Sequence, residues 1–76
     1  MEIQEFIDFF AAQFDETAVE TFTADTKFRE IEEWSSLIAL SIIAMVDEEY
    51  NSKLTGDNIR QSITINDVFN VVKSKL

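Results

Sequence analysis

Between residues 36 and 51, apolar side chains return every third or fourth position, and this spacing constrains the fold more than any other feature. Leu37, Leu40, Ile43, Ala44 and Val46 recur at the α-helical period of about 3.6 residues, with Ser41 and Glu48 between them. Ile38, Ile42 and Met45 widen the stripe until most sides of the helix are apolar. A helix of that kind is buried on most sides or meets a partner. Ser35 stands where an N-cap is wanted, because its hydroxyl can accept from a free N–H of the first turn.

Three other segments complete a helical pattern. Over residues 3–14, Ile3, Phe6, Ile7, Phe10, Ala11 and Phe14 share one stripe, and its three phenylalanines are the expected core anchors. Glu2 and Glu5 fall in the first turn, where the helix dipole favours anions. Thr64 followed by Asp67 reads as a cap with an acidic third position. It opens a last helix over about 65–75 that turns Ile65, Val68, Phe69 and Val72 to the core and places Lys73 and Lys75 in the last turn. Asp57 to Ser62 suits a short helix with Ile59 inward, after a turn at Leu54–Asp57 that holds the single glycine, Gly56.

Residues 15–34 form a long polar connection in which Phe22, Phe28, Ile31 and Trp34 are spaced anchors. A connection this long is unusual in a compact domain. It is expected to fold across the helices and pin itself with those side chains, with Thr23 or Asp25 capping a short turn. The expected fold is all-α: a four-helix bundle with a long loop between helices 1 and 2 and a short third helix, one domain over 1–76.

The chain of 76 residues has no cysteine, so a small core must hold without disulfides. Met1 to Glu5 carries no basic segment before an apolar run, so no signal peptide is expected. The longest apolar run, Ile42 to Val46, is far too short to span a bilayer. These features predict a cytoplasmic, monomeric protein without membrane insertion. Six basic residues against fifteen acidic ones, a net charge of -9, work against nucleic-acid binding. From Glu30 to Ser52 every charged residue is acidic: Glu30, Glu32, Glu33, Asp47, Glu48 and Glu49. Sharing one region, they suit either a solubilising surface or a field that steers a basic partner.

The side-chain inventory excludes most catalysis. Without histidine or cysteine there is no serine–histidine pair, no thiolate nucleophile and no zinc ligand set. One glycine cannot build a phosphate-cradling loop, and Asp47-Glu48-Glu49 does not follow calcium-loop spacing. No enzymatic activity is expected. What remains is the doublet Ser35-Ser36 at the head of the apolar helix. One serine suffices as a cap. The second is either an ordinary first-turn residue or a hydroxyl that another protein modifies.

At this point the chain resembles the acyl carrier proteins, small acidic four-helix carriers with an Asp-Ser-Leu signature at the start of the second helix. Ser35-Ser36-Leu37 matches that tripeptide, and Thr64-Ile65-Asn66-Asp67-Val68 resembles the family's start of the last helix. The resemblance implies that Ser36 bears 4'-phosphopantetheine, transferred from coenzyme A by a carrier protein synthase (a phosphopantetheinyl transferase). The terminal thiol would carry acyl groups as thioesters between enzymes of fatty-acid or related secondary-metabolite biosynthesis. It further implies that Leu37 seats in partner enzymes and that Asp47, Glu48 and Glu49 dock basic patches on acyl-loading and acyl-processing enzymes. Ala44 and Met45 would border that interface. Phe28, Ile43, Val46, Leu54, Ile59 and Val68 look similar to residues of the core and its acyl pocket, so that a short acyl chain is expected to fold back between the second, third and fourth helices.

Three departures point to a divergent, pathway-specific carrier: Ser35 replaces the family's aspartate, Glu33-Trp34 stands where a glycine is usual, and Ser41 takes a frequent glutamate position. Two alternatives accompany this expectation. One is an aminoacyl or peptidyl carrier of a non-ribosomal pathway, and the other is an unmodified acidic helical docking protein.

Overall fold

The apolar stripes bring together four helices: α1 (Ile3–Ala11), α2 (Ser36–Tyr50), α3 (Gly56–Gln61) and α4 (Ile65–Ser74). The computed structural model describes residues 2–76, and no strand occurs among them. This is the expected all-α bundle with a long first loop and a short third helix. α1 packs on α2 and α4, and α3 packs on the same two helices. Phe6 of α1 sits where three helices meet, its ring centroid 5.8 Å from that of Tyr50 in α2 and 5.5 Å from that of Phe69 in α4. Around it Ile42 and Val46 of α2 and Val68 and Val72 of α4 are buried.

The first helix stops short of the expected Phe14 because its last turn tightens. The N–H groups of Gln13 and Phe14 donate to the carbonyls of Phe10 and Ala11, three residues back, at 3.1 and 3.0 Å. Phe14 stays buried all the same, stacked on Phe10 with centroids 6.0 Å apart. α2 ends at Tyr50 because Asn51 adopts a left-handed conformation, with φ of 51°, and turns its N–H onto the Asp47 carbonyl at 3.0 Å. Asparagine tolerates this conformation better than most residues.

The expected turn at Leu54–Asp57 is a helix cap instead. Thr55 and Asn58 exchange side-chain-to-backbone bonds, both at 3.0 Å, which starts α3 at Gly56. Gly56 therefore has ordinary helical geometry. The box expected at Thr64 is present: its hydroxyl accepts from the Asp67 N–H at 3.2 Å, and the Asp67 carboxylate accepts from the Thr64 N–H at 3.0 Å.

The long loop crosses the bundle as expected and contains two single 3-10 turns, Val19–Thr21 and Phe28–Glu30. Phe22 packs on Phe14 at 4.9 Å and Phe28 on Phe10 at 5.5 Å between centroids. The fastening hydroxyl is that of Thr26 rather than a cap at Thr23 or Asp25. It accepts from the Thr23 N–H and donates to the Thr21 carbonyl, both at 2.8 Å. The loop also completes α4, whose first N–H groups on Ile65 and Asn66 donate to the carbonyls of Thr26 and Ala24 at 3.2 and 2.9 Å. Donors that a helix start leaves free are thereby satisfied.

Phe10, only 1% exposed, links α1 to this loop. Phe10→Ala is expected to cost roughly 3–5 kcal/mol, a large part of the stability of a small domain. Denaturant melts measure it directly, and a loss under about 1 kcal/mol would place the ring outside the core.

Candidate functional site

The end of the loop positions the serine doublet, and one carboxylate holds that end in place. Glu33 Oε2 accepts from the Asp15 N–H at 2.7 Å. Its Oε1 accepts from the Glu16 and Thr17 N–H groups at 3.0 Å and from the Thr17 hydroxyl at 2.8 Å. The start and end of the loop are thus clasped together. Burial works to raise the Glu33 pKa, but the Thr17 hydroxyl and the three backbone donors outweigh it and hold the carboxyl below its ordinary 4.5. Trp34 follows, packed 4.9 Å from Phe28 and 6.3 Å from Phe14 between centroids.

The two serines divide the next tasks. Ser35 is extended, with φ of -155°, and its Oγ accepts from the Ile38 N–H at 3.3 Å while its carbonyl accepts from the Ala39 N–H at 3.0 Å. It is the N-cap that its position predicts. Ser36 is the first residue of α2 and is exposed. Among the described residues its hydroxyl has no hydrogen-bond partner, and the N–H groups of Ser36 and Leu37 have no acceptor. The site offers a free primary alcohol beside unsatisfied donors at the positive end of a 15-residue helix.

α2 has two distinct faces. Ile38, Ile42, Met45 and Val46 are buried. Leu37, Ser41, Ala44, Asp47 and Glu48 are exposed at helical spacing, and Leu37 and Leu40 are 75% and 61% exposed. The wide apolar stripe is therefore not buried all round. Met45, expected at the edge of the docking surface, is 6% exposed and belongs to the core. It supports that surface from beneath, because its place on the helix is that of Ile38 and Ile42. Leu40, one of the residues of the apolar stripe, lies on its exposed face.

The acidic residues do not form one region. Asp47 lies eleven residues beyond Ser36 on α2, roughly 16 Å along the axis. Glu33 precedes the helix and is occupied by loop N–H groups. The exposed cluster is Asp47, Glu48 and Glu49, with Lys53 3.8 Å from Asp47. That pair is solvent-exposed and adds little. No group of carboxylates suited to a metal ion occurs among the described residues.

A groove of about 560 Å³ runs beside Ser36. Trp34, Leu40, Ile43 and Ile59 give it an apolar floor, and Arg29 and Arg60 line it as well. Of the residues likened to an acyl pocket, Phe28, Val46, Leu54, Ile59 and Val68 are buried in the core and Ile43 is partly buried. The groove is walled by the loop, α2 and α3, and α4 contributes none of its lining. This groove is therefore not the expected space between the second, third and fourth helices. The α4 valines fill the core instead. Sequence spacing does not pair the two arginines, which lie 31 residues apart. Their only signal is that they are the chain's two arginines.

No protein-family model, curated protein or solved structure matches this chain.

The clasp at Glu33 sets an acid-side dependence of stability. A carboxyl whose folded pKa is depressed contributes stability above its unfolded pKa and loses it as pH falls through the folded one. Asp67, lowered by the Thr64 and Ile63 N–H groups, acts with the same sign. The melting temperature is expected to hold from neutral pH down to about 5 and to fall below the ordinary Glu33 value of 4.5. Glu33→Gln should melt lower at pH 7 and show a smaller fall on acidification. Thermal melts across pH check this, and parallel curves for the two proteins would remove the clasp from the account.

Proposed function

We propose that this chain is a phosphopantetheine-dependent acyl carrier, modified on Ser36. The observation that carries the reading is the division of the serine doublet: Ser35 is committed to the cap, while Ser36 presents a free hydroxyl on the first turn. The resemblance of Ser35-Ser36-Leu37 to the carrier signature and the four-helix architecture support it. The Ser36 hydroxyl oxygen is the nucleophile toward the pantetheine-bearing phosphorus of coenzyme A. The pyrophosphate bond breaks with adenosine 3',5'-bisphosphate leaving, and a carrier protein synthase must supply the base that takes the hydroxyl proton.

The geometry fits a shuttle. The chain lends no chemistry to acyl transfer and offers an attachment point, a flexible arm and a recognition face. The arm's phosphate would lie by the unsatisfied N–H groups of Ser36 and Leu37. Leu37, Leu40 and Ala44 give partners a modest apolar contact, and Asp47, Glu48 and Glu49 steer basic surfaces toward it. Steering of this kind raises encounter rates without fixing a long-lived complex.

Intact mass after incubation with coenzyme A and a broad-specificity synthase tests the assignment. The wild type should gain the mass of one phosphopantetheine, and Ser36→Ala should gain none while keeping its circular dichroism spectrum. A wild type that stays unmodified would leave the face on α2 as the surface of an unmodified docking protein. Glu48→Lys combined with Glu49→Lys should slow modification and acyl loading at low salt and leave the fold intact. The rates of mutant and wild type should converge as salt rises. Equal rates at low salt would remove the docking role of these two residues.

A further inference from the structure

The groove beside Ser36 is chemically lopsided in a chain of net charge -9. Its floor is apolar, yet it carries both arginines of the sequence, Arg29 and Arg60. Arg29 is held firmly. Its Nη1 donates to the carbonyls of Ile59 and Arg60 at 3.2 and 2.6 Å, and its guanidinium carbon lies 5.7 Å from the Phe28 ring centroid. Carbonyls orient a cation without neutralising it. Among the described residues no carboxylate pairs with Arg29, whereas Arg60 pairs with Asp57. A guanidinium has five N–H donors in a planar fork, and those on Nη2 and Nε of Arg29 have no acceptor among the described residues. A fixed, uncompensated fork at the edge of an apolar groove matches an amphiphile with a carboxylate at one end.

We infer that the groove accommodates an acyl cargo ending in a carboxylate. Its methylenes would lie on Trp34, Leu40, Ile43 and Ile59, and its carboxylate would bond to Arg29, with Arg60 as a second donor. Delivery of that cargo rests on the carrier reading, since it arrives on the arm of Ser36. A plain acyl chain of the same length gains only the apolar contacts. The carboxylated chain adds charge-assisted hydrogen bonds to a donor already in place. The arm's own phosphodiester is the competing anion. It is fixed to Ser36 at the start of α2, where free N–H groups receive it, and this leaves the fork beside α3 open.

The test compares the modified protein charged with hexanoyl and with hexanedioyl groups, which differ only in the terminal carboxylate. Intact mass is read first, and then the Nε–H signals of the two arginines by nuclear magnetic resonance. The hexanedioyl form should shift the Arg29 signal and slow its exchange with solvent several-fold relative to the hexanoyl form. The Arg60 signal, which should also separate the two charged forms, should cease to do so in Arg29→Gln, whose amide can still donate to a carbonyl of α3. If Arg29→Gln fails to fold, Arg60→Gln serves, and it should weaken the difference at Arg29. Identical Arg29 signals in the two charged forms overturn the inference and leave the carrier reading standing. Signals equally displaced from those of the unmodified chain would assign the fork to the arm's phosphate. A chain that gains no mass overturns the carrier reading, and the cargo inference falls with it.

Discussion

Contact between the aromatic residues of α1 and those of the long loop is the constraint on which the rest of the structure depends. The loop has no hydrogen-bonded ladder of its own, so its path must be fixed from outside. Phe10 and Phe14 supply the anchor, Phe22, Phe28 and Trp34 pack against it, and successive centroids lie between 4.9 and 6.3 Å apart. Aromatic pairs at these separations add to the gain from burying their area. Polar ties then fix what packing alone leaves free. Glu33 clasps the two ends of the loop, Thr26 fastens its middle, and carbonyls of Ala24 and Thr26 receive the first donors of α4. A loop that completes a helix elsewhere in the fold cannot shift without cost. It therefore presents the chain at Ser35 in one fixed direction.

From that fixed point α2 divides its labour by face. Ile38, Ile42, Met45 and Val46 hold the helix to the bundle, and Leu37, Leu40, Ala44, Asp47 and Glu48 remain outside. Acidic groups at a helix C-terminus oppose the local dipole. Their presence there brings no benefit to stability. Ser35 and Ser36 differ at the other end in the same way, one oxygen tied to the Ile38 N–H and one exposed without a partner among the described residues.

Much of this was legible in the sequence where one physical rule dominates. Helical spacing located α1, α2 and α4, and the Thr64–Asp67 pair fixed the start of α4 because a capping box is local. Ser35 was legible as a cap for the same reason. Local rules failed where a tertiary partner decides. Gly56 is the exception, since the Thr55–Asn58 box that makes it the first residue of a helix is as local as the one at Thr64, and the glycine masked it as a turn signal. Glu33 counted as one acidic charge among several, and its donors on Asp15 to Thr17 belong to the far end of the loop. Met45 lies in the core and not at the edge of the exposed face, and Leu40 lies on that face. A stripe apolar on most sides does not say which side the bundle will take. Arg29 and Arg60 meet only through the packing of loop on α3, so no spacing rule could join them.

The account turns on which of two adjacent oxygens is free, and peptide-level mass mapping of the modified chain measures that most directly. If Ser35 is held by the Ile38 N–H as the geometry has it, fragmentation will place phosphopantetheine on Ser36 alone. Ser35→Ala will keep the group on Ser36 while losing about 1 kcal/mol of stability with its cap. Phosphopantetheine mapped to Ser35 would contradict the central claim.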